Sequence, residues 1–120
     1  MNKKGKKTDM TQEMLPLAKT ADELFSIDDR EPRQLNVPEW GFSIMIQDLD
    51  ARKMAMISRS TTDEKGEIDS LEFSSRVILE GVVKPPLEPR HLEVLKGRSH
   101  AAFLRVFNAI NSKKKEPSNS

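Results

Sequence analysis

The spacing of the apolar residues between positions 35 and 46 strongly favours a β element. They recur at every second residue, which is typical of a strand with one buried face. Pro38 cannot donate to a strand ladder, and Gly41 indicates a tight turn or a bulge. The segment therefore predicts either a short β-hairpin, 34–37 with 42–47, or one bent strand. The alternating side chains are Leu35, Val37, Phe42, Ile44 and Ile46, with Pro38 and Trp40 between them.

The apolar residues after position 48 recur at three- and four-residue spacing, which predicts helices. One of them follows a polar loop that contains Gly66 and has apolar side chains most of the way around it, through Val82 and Val83. It is expected to be the central and most buried element, ended by Pro85 and Pro86. The expected starts of the four helices are Asp48 or Asp50, Asp69 or Ser70, Glu88 or Pro89, and Ser99.

The charge is unevenly distributed along the chain. The whole chain carries +1, residues 1–9 carry +3 and residues 111–120 carry +2, which leaves −4 for the body between them. Both ends are rich in Lys, Ser, Asn and Gly and poor in apolar residues, so they are expected to be frayed. An acidic body also argues against a nucleic-acid-binding face, which would carry basic residues.

These patterns predict one small folded domain with loose ends. Hydrophobic residues make up 36% of the chain and charged residues 32%, which favours a small core. We expect a flexible arm at 1–33 with a possible short helix between Thr11 and Phe25, a folded domain at 34–112 and a disordered basic tail at 113–120. The expected fold class is mainly α, with the β element packed on a small bundle of three to four helices.

The residues needed for several kinds of chemistry are missing from the sequence. Without cysteine there is no disulfide framework, zinc ribbon or thiol catalysis, and a reducing compartment is indicated. No apolar run approaches the ~18 residues that a membrane span needs. The two histidines, His91 and His100, lie on separate expected helices, and no Gly-rich phosphate loop is present. We therefore expect neither an enzyme nor a cofactor.

The polar loop that begins at Thr61 resembles the second half of a calcium-binding EF-hand loop. Gly66, Asp69 and Glu72 fall at its sixth, ninth and twelfth positions. The first half departs from the pattern, because Thr61 replaces the leading Asp and Lys65 places a cation at the fifth position. An ammonium group there would repel the metal, so no metal site is expected. A degenerate EF-hand adaptor is kept as an alternative.

A second alternative is a small nucleic-acid-associated protein that uses residues 88–112 as a helix-turn-helix. The expected helix–Gly–helix order fits that fold. A recognition helix, however, offers base-reading groups at its start and basic flanks. Here the helix starts with Ser99, His100 and Ala101 and continues as an apolar stripe.

The order of several short motifs resembles a known family. Val37-Pro38-Glu39-Trp40-Gly41-Phe42 is followed by Ile44 and Ile46, then Asp48-Leu49, then a charged helix. This order resembles the tail assembly chaperones of long-tailed bacteriophages. The stretch 78–87, with its valine pair and prolines, and the stretch 95–110 are similar to the family's later landmarks. The resemblance covers roughly 35–112.

The resemblance implies a non-enzymatic function in the cytoplasm of an infected host cell. Members of the family bind the long, helical, hydrophobic tape measure protein and keep it soluble before the tail tube assembles around it, and they are absent from the mature virion. It also implies the tape measure protein as partner, with the tail tube protein and a second copy of the chain as further candidates, and no contact with nucleic acid or membrane.

An adaptable apolar surface would suit such a protein, and eight residues are the candidates for it. The alternative is that the same residues form the core. The partner-binding candidates are Trp40, Phe42, Met45, Met54, Phe103, Val106, Phe107 and Ile110.

Overall fold

The computed structural model of the protein describes residues 14–112. Within that range the chain forms five α-helices and one antiparallel sheet of three strands, so the architecture is mixed α and β, with more helix than strand. In chain order the elements are α1 (Ala21–Leu24), β1 (Arg33–Val37), β2 (Phe42–Ile46), α2 (Ala51–Ser60), α3 (Ser70–Gly81), β3 (Val82–Lys84), α4 (His91–Lys96) and α5 (His100–Asn111).

The helix expected in the N-terminal arm is limited to one turn. Thr20, rather than Thr11, accepts the capping hydrogen bond, from the N–H of Glu23. Thr11 and the expected basic tail at 113–120 lie outside the described residues. A helix of four residues gains little from its own hydrogen bonds, because most of its N–H and C=O groups lie in unpaired end turns.

The alternating segment forms a β-hairpin, which confirms the first of the two interpretations. Leu35 pairs with Ile44, and the strands are joined by a 3₁₀ turn over Pro38–Trp40. Gly41 closes this turn with φ at 75°, a left-handed conformation that favours glycine. Because cross-strand partners share a face, the residue at position 42 continues the buried face of the hairpin beyond the edge of the core.

The third strand was not predicted, because Val82 and Val83 were assigned to the preceding helix. That assignment was wrong: α3 ends at Gly81 and the chain enters β3 at once. Val82 pairs with Ile46 and is only 4% exposed. The carbonyl oxygen of Gly81 also accepts a hydrogen bond from the N–H of Gln47 at 2.9 Å. Pairing with a distant strand therefore decides the conformation of this valine pair.

Helix α3 is the central helix, as expected. It packs against α2, α4, α5 and β3, and Val77 and Ile78 are fully buried. Three of the expected caps are confirmed: the side chains of Asp50, Asp69 and Ser99 each accept an N–H bond in the first turn of α2, α3 and α5. Helix α4 starts at position 91, slightly later than expected, without a side-chain cap.

Arg33 ties the sheet to the C-terminal end of α5. Its Nη2 donates to the carbonyl oxygens of Ala109 and Ser112, the latter at 3.0 Å, and to Oδ1 of Asp48 at 3.1 Å. The last carbonyls of a helix have no partner within the helix, so a guanidinium placed there satisfies them. This contact holds β1 against α5.

Helix α5 lies close against Gly81, in the last turn of α3. A Cβ atom built at this position would lie 2.6 Å from Cδ1 and 2.9 Å from Cγ2 of Ile110. Ile110 is 1% exposed, so it has little room to move away. The absence of a side chain at position 81 therefore sets the spacing between the two helices.

We predict that Gly81→Ala destabilises the protein by about 2 kcal/mol, because overpacking a rigid core costs roughly 1–3 kcal/mol. Urea unfolding gives the free energy. Gly97→Ala is the matched control. A Cβ atom built at position 97 would lie 3.6 Å from its nearest neighbour, the carbonyl oxygen of Val94, which is an ordinary contact distance. That control should change the free energy of unfolding by less than about 0.5 kcal/mol. Unchanged stability in Gly81→Ala would contradict the close packing.

Candidate functional site

An open apolar groove of about 430 Å³ lies between the hairpin, β3 and α4. Its volume falls within the ~300–1,000 Å³ typical of ligand-binding clefts. The hairpin, the third strand with its following turn, and helix α4 all contribute side chains. The main apolar lining residues are Trp40, Phe42, Ile44, Val82, Pro85, Leu87, Val94 and Leu95.

The groove runs from the core to the surface without a polar boundary. At its inner end, Val82 and Leu95 are buried, whereas at its rim Phe42 is 78% exposed and Val94 is 51% exposed. An aromatic ring left largely in water beside an apolar cleft exposes a continuous apolar surface, which is typical of a contact site for a protein or another ligand. The rim is thus the part most accessible to a partner.

The groove carries few polar groups. Arg98 is its one charged lining residue, and its Nε donates to the carbonyl oxygen of Val94 at 3.3 Å. Nδ1 of His91 accepts the N–H of Glu88 at 2.8 Å, so Nε2 holds the proton of the neutral ring. The groove therefore offers contact area to apolar side chains and, at Arg98, a cation that would attract a carboxylate.

An ion network holds α4, and with it one wall of the groove, against α3. Nζ of Lys96 lies 2.6 Å from Oε1 of Glu72 and 3.0 Å from Oε2 of Glu93, and Nε of Arg76 lies 2.9 Å from Oε2 of Glu72. The hydrogen bond from Lys96 lowers the pKa of Glu72 below its ordinary 4.5, and the same bond raises the pKa of Lys96. A helix of six residues needs such tertiary support.

A second ion pair holds the hairpin turn beside Trp40. Nη2 and Nε of Arg105, on α5, lie 2.8 Å and 3.1 Å from the two carboxylate oxygens of Glu39. This two-point contact restricts orientation as well as distance. The hydrogen bonds from Arg105 lower the pKa of Glu39. Both walls of the groove are thus attached to the helices behind them.

The structure separates the eight residues that were predicted to bind a partner. Trp40 and Phe42 line the groove. Phe103, Val106 and Ile110 are buried in the core, as the alternative interpretation expected. They expose no surface to a partner in this conformation. The other three are partly buried: Met54 and Phe107 pack against the core, and Met45 lies in the middle strand beside Gln34 and Lys84.

Sequence reasoning missed most of the groove. Ile44 and Val82 were assigned only to the interior of elements, and Leu87, Val94 and Leu95 were not proposed as contacts. The one local signal was Val94, an apolar residue on the otherwise charged side of a short helix. The remaining residues come together only because β3 joins the sheet.

The loop between α2 and α3 holds its own carboxylate in place. Oδ1 of Asp63 accepts the N–H groups of Lys65 at 2.8 Å and Glu67 at 2.9 Å, around Gly66 with φ at 86°. Among residues 14–112, no three His, Asp or Glu side chains are grouped so that they could hold a metal ion. Over the same range, no helix has the length and apolar character to cross a bilayer.

Comparison with known proteins leaves the groove as the main functional observation. Protein-family models, characterised proteins and solved structures were all compared with this chain, and none matches it.

We predict that acidification weakens the attachment of α4 through Glu72. Its pKa is lowered on folding, so the stabilisation is present above the ordinary pKa of 4.5 and is lost as the pH falls through the lowered value of the folded state. The free energy of unfolding of Glu72→Gln should fall less steeply than that of the wild type between about pH 6 and pH 3. Urea unfolding, followed by the fluorescence of Trp40, measures the free energy of unfolding of both proteins at each pH.

Glu88→Gln is the control for this experiment. In the wild type, Glu88 forms an ion pair with Arg90, and both side chains are well exposed. This pair should therefore contribute little to the free energy of unfolding. The wild type and Glu88→Gln should show the same pH dependence. Equal slopes for the wild type and Glu72→Gln would mean that the Glu72 network does not stabilise the fold.

Proposed function

We propose that this protein is a phage tail assembly chaperone: a non-enzymatic protein that binds the tape measure protein and keeps it soluble while the tail tube assembles. One observation carries the proposal. The stretch from Arg33 to Trp40, which carries the most weight in the resemblance to that family, ends in the turn that precedes Phe42, and Trp40 and Phe42 both line the groove. The motif thus contributes one wall of the candidate binding surface.

The groove suits a client that presents short apolar segments. Its open rim at Phe42 and Val94 admits side chains without requiring the core to open. At about 430 Å³ it covers only a few side chains, so a long client is held by many copies, each of which makes a weak contact. Weak contacts at many places suit a holder that must later release its client.

The charge of the protein supports the same function. The acidic body carries −4 between residues 10 and 110. Charged side chains make up 32% of the chain, so copies bound along an apolar client would replace an aggregation-prone surface with a charged and hydrated one. In this proposal the protein acts in the host cytoplasm and leaves the client before the virion is complete.

We predict that co-expression with the tape measure protein from the same genome raises the soluble fraction of that long protein. Val94→Gln should lose most of this effect, because it places an amide at the apolar rim of the groove. Quantitative immunoblotting of soluble and insoluble fractions measures the outcome. Purified complexes should also show a blue shift of the emission of Trp40, the only tryptophan in the chain, as its environment is dehydrated.

Met56→Gln provides a matched control. Met56 lies on α2 and, like Val94, is a helix residue that is 51% exposed, but it is not part of the groove. It should retain the solubilising effect. If the soluble fraction of the tape measure protein is the same with and without this protein, the proposed function is wrong.

A further inference from the structure

The N-terminal arm exposes an unusual amount of apolar surface. Six large apolar side chains between positions 14 and 27 are each 62–93% exposed. They are half of the large exposed hydrophobic residues in the described part of the chain, although the segment is short. Single apolar residues scattered on a surface are normal, whereas a concentrated set indicates a contact surface. The six are Met14, Leu15, Leu17, Leu24, Phe25 and Ile27.

The hydrogen bonds of the helical turn in this arm are local. Thr20 caps α1, and Oε1 of Glu23 accepts the N–H of Lys19 at 2.7 Å. One turn of helix with its apolar side chains in water lacks the packing that normally stabilises a helix. A surface that covers these side chains would supply that packing.

The arm and the groove are complementary in charge as well as in polarity. Residues 14–32 contain five carboxylates and two basic side chains, so the arm carries −3. The groove contributes Arg98, whose Nε donates to a carbonyl of its own turn and which forms no ion pair with another described residue. An apolar segment with flanking carboxylates is the kind of ligand that this groove fits.

We propose that the arm of one copy binds in the apolar groove of a second copy, and that two copies exchange arms in this way. The two contacts are equivalent by a two-fold axis, so the assembly closes as a dimer and leaves no arm unpaired. Both contact surfaces belong to this chain, so the inference does not depend on the proposed function.

In the structure the arm lies outside the groove of its own copy, since its six apolar side chains are 62–93% exposed. Nε2 of Gln47 donates to the carbonyl oxygen of Arg30 at 2.5 Å, which holds the base of the arm beside the end of β2. Phe42 lies five residues away along this strand, roughly 17 Å at the rise of a β-strand. Ile27 is three residues from Arg30 and spans about 10 Å at most. Ile27 therefore falls short of the rim of its own groove.

Sedimentation of the full chain at several concentrations tests the proposal. The wild type should show a monomer–dimer equilibrium. Leu17→Gln/Phe25→Gln in the arm and Val94→Gln in the groove should each weaken dimerisation about tenfold or more, because each replaces buried apolar surface with an amide. Met56→Gln, equally exposed on α2 but outside the groove, should dimerise like the wild type.

A mixture of the arm variant and the groove variant distinguishes arm exchange from dimerisation through any other surface. The groove of the arm variant and the arm of the groove variant are both intact, so an equimolar mixture restores one of the two contacts. The mixture should therefore associate more strongly than either variant alone. A wild type that is monomeric at every concentration, a mixture no stronger than its components, or equal weakening by Met56→Gln would overturn the proposal.

Cross-linking identifies which groove the arm occupies. The chain has no cysteine, so Phe25→Cys/Val94→Cys introduces the only two thiols. Arm exchange predicts a disulfide-linked dimer on oxidation, and Phe25→Cys/Met56→Cys should give little of it. A bond within one chain, which runs as a compact monomer on a non-reducing gel, would show that the arm occupies its own groove and would overturn exchange between copies.

Discussion

The close contact between Gly81 and Ile110 joins the packing of the helices to the strand at the base of the groove. Because position 81 has no side chain, the end of α3 lies directly against α5. The chain then enters β3 without a connecting loop, and the carbonyl of Gly81 accepts the N–H of Gln47 at the end of β2. This places Val82 in the sheet and at the base of the groove. The helix packing and the completed sheet thus meet at Gly81.

The core alone does not position the walls of the groove. The hairpin turn and α4 are short elements, and each is attached by charged side chains: Glu39 with Arg105, and Glu72 with Lys96. Exposed ion pairs usually contribute little to stability. Their effect here is one of position, since they hold the two walls in place before a ligand arrives. A site that is already formed loses less conformational freedom on binding.

Local rules account for the parts of the fold that the sequence predicted. The hairpin follows from alternation and from a glycine that can adopt positive φ, and the caps Asp50, Asp69 and Ser99 follow from side chains that accept first-turn N–H bonds.

Non-local contacts account for the parts that the sequence did not predict. Val82 and Val83 continue a helical pattern, and only pairing with β2 makes them a strand. The stripe on α5 shows an apolar face but not what covers it, and the core covers Val106 and Ile110. The groove depends on that third strand, so most of its lining was not predictable residue by residue.

The two proposals together have a consequence for how a client would be held. If a second copy's arm covers the groove, an incoming apolar segment must displace it, so its apparent affinity is reduced by the fraction of grooves that are covered. An isolated short segment competes poorly against an arm that is held by a second, equivalent contact in the same dimer. A long client presents many segments at high local concentration, and occupancy of one raises the effective concentration of the next. Arm exchange would thus select for long apolar clients while it keeps the groove covered in their absence.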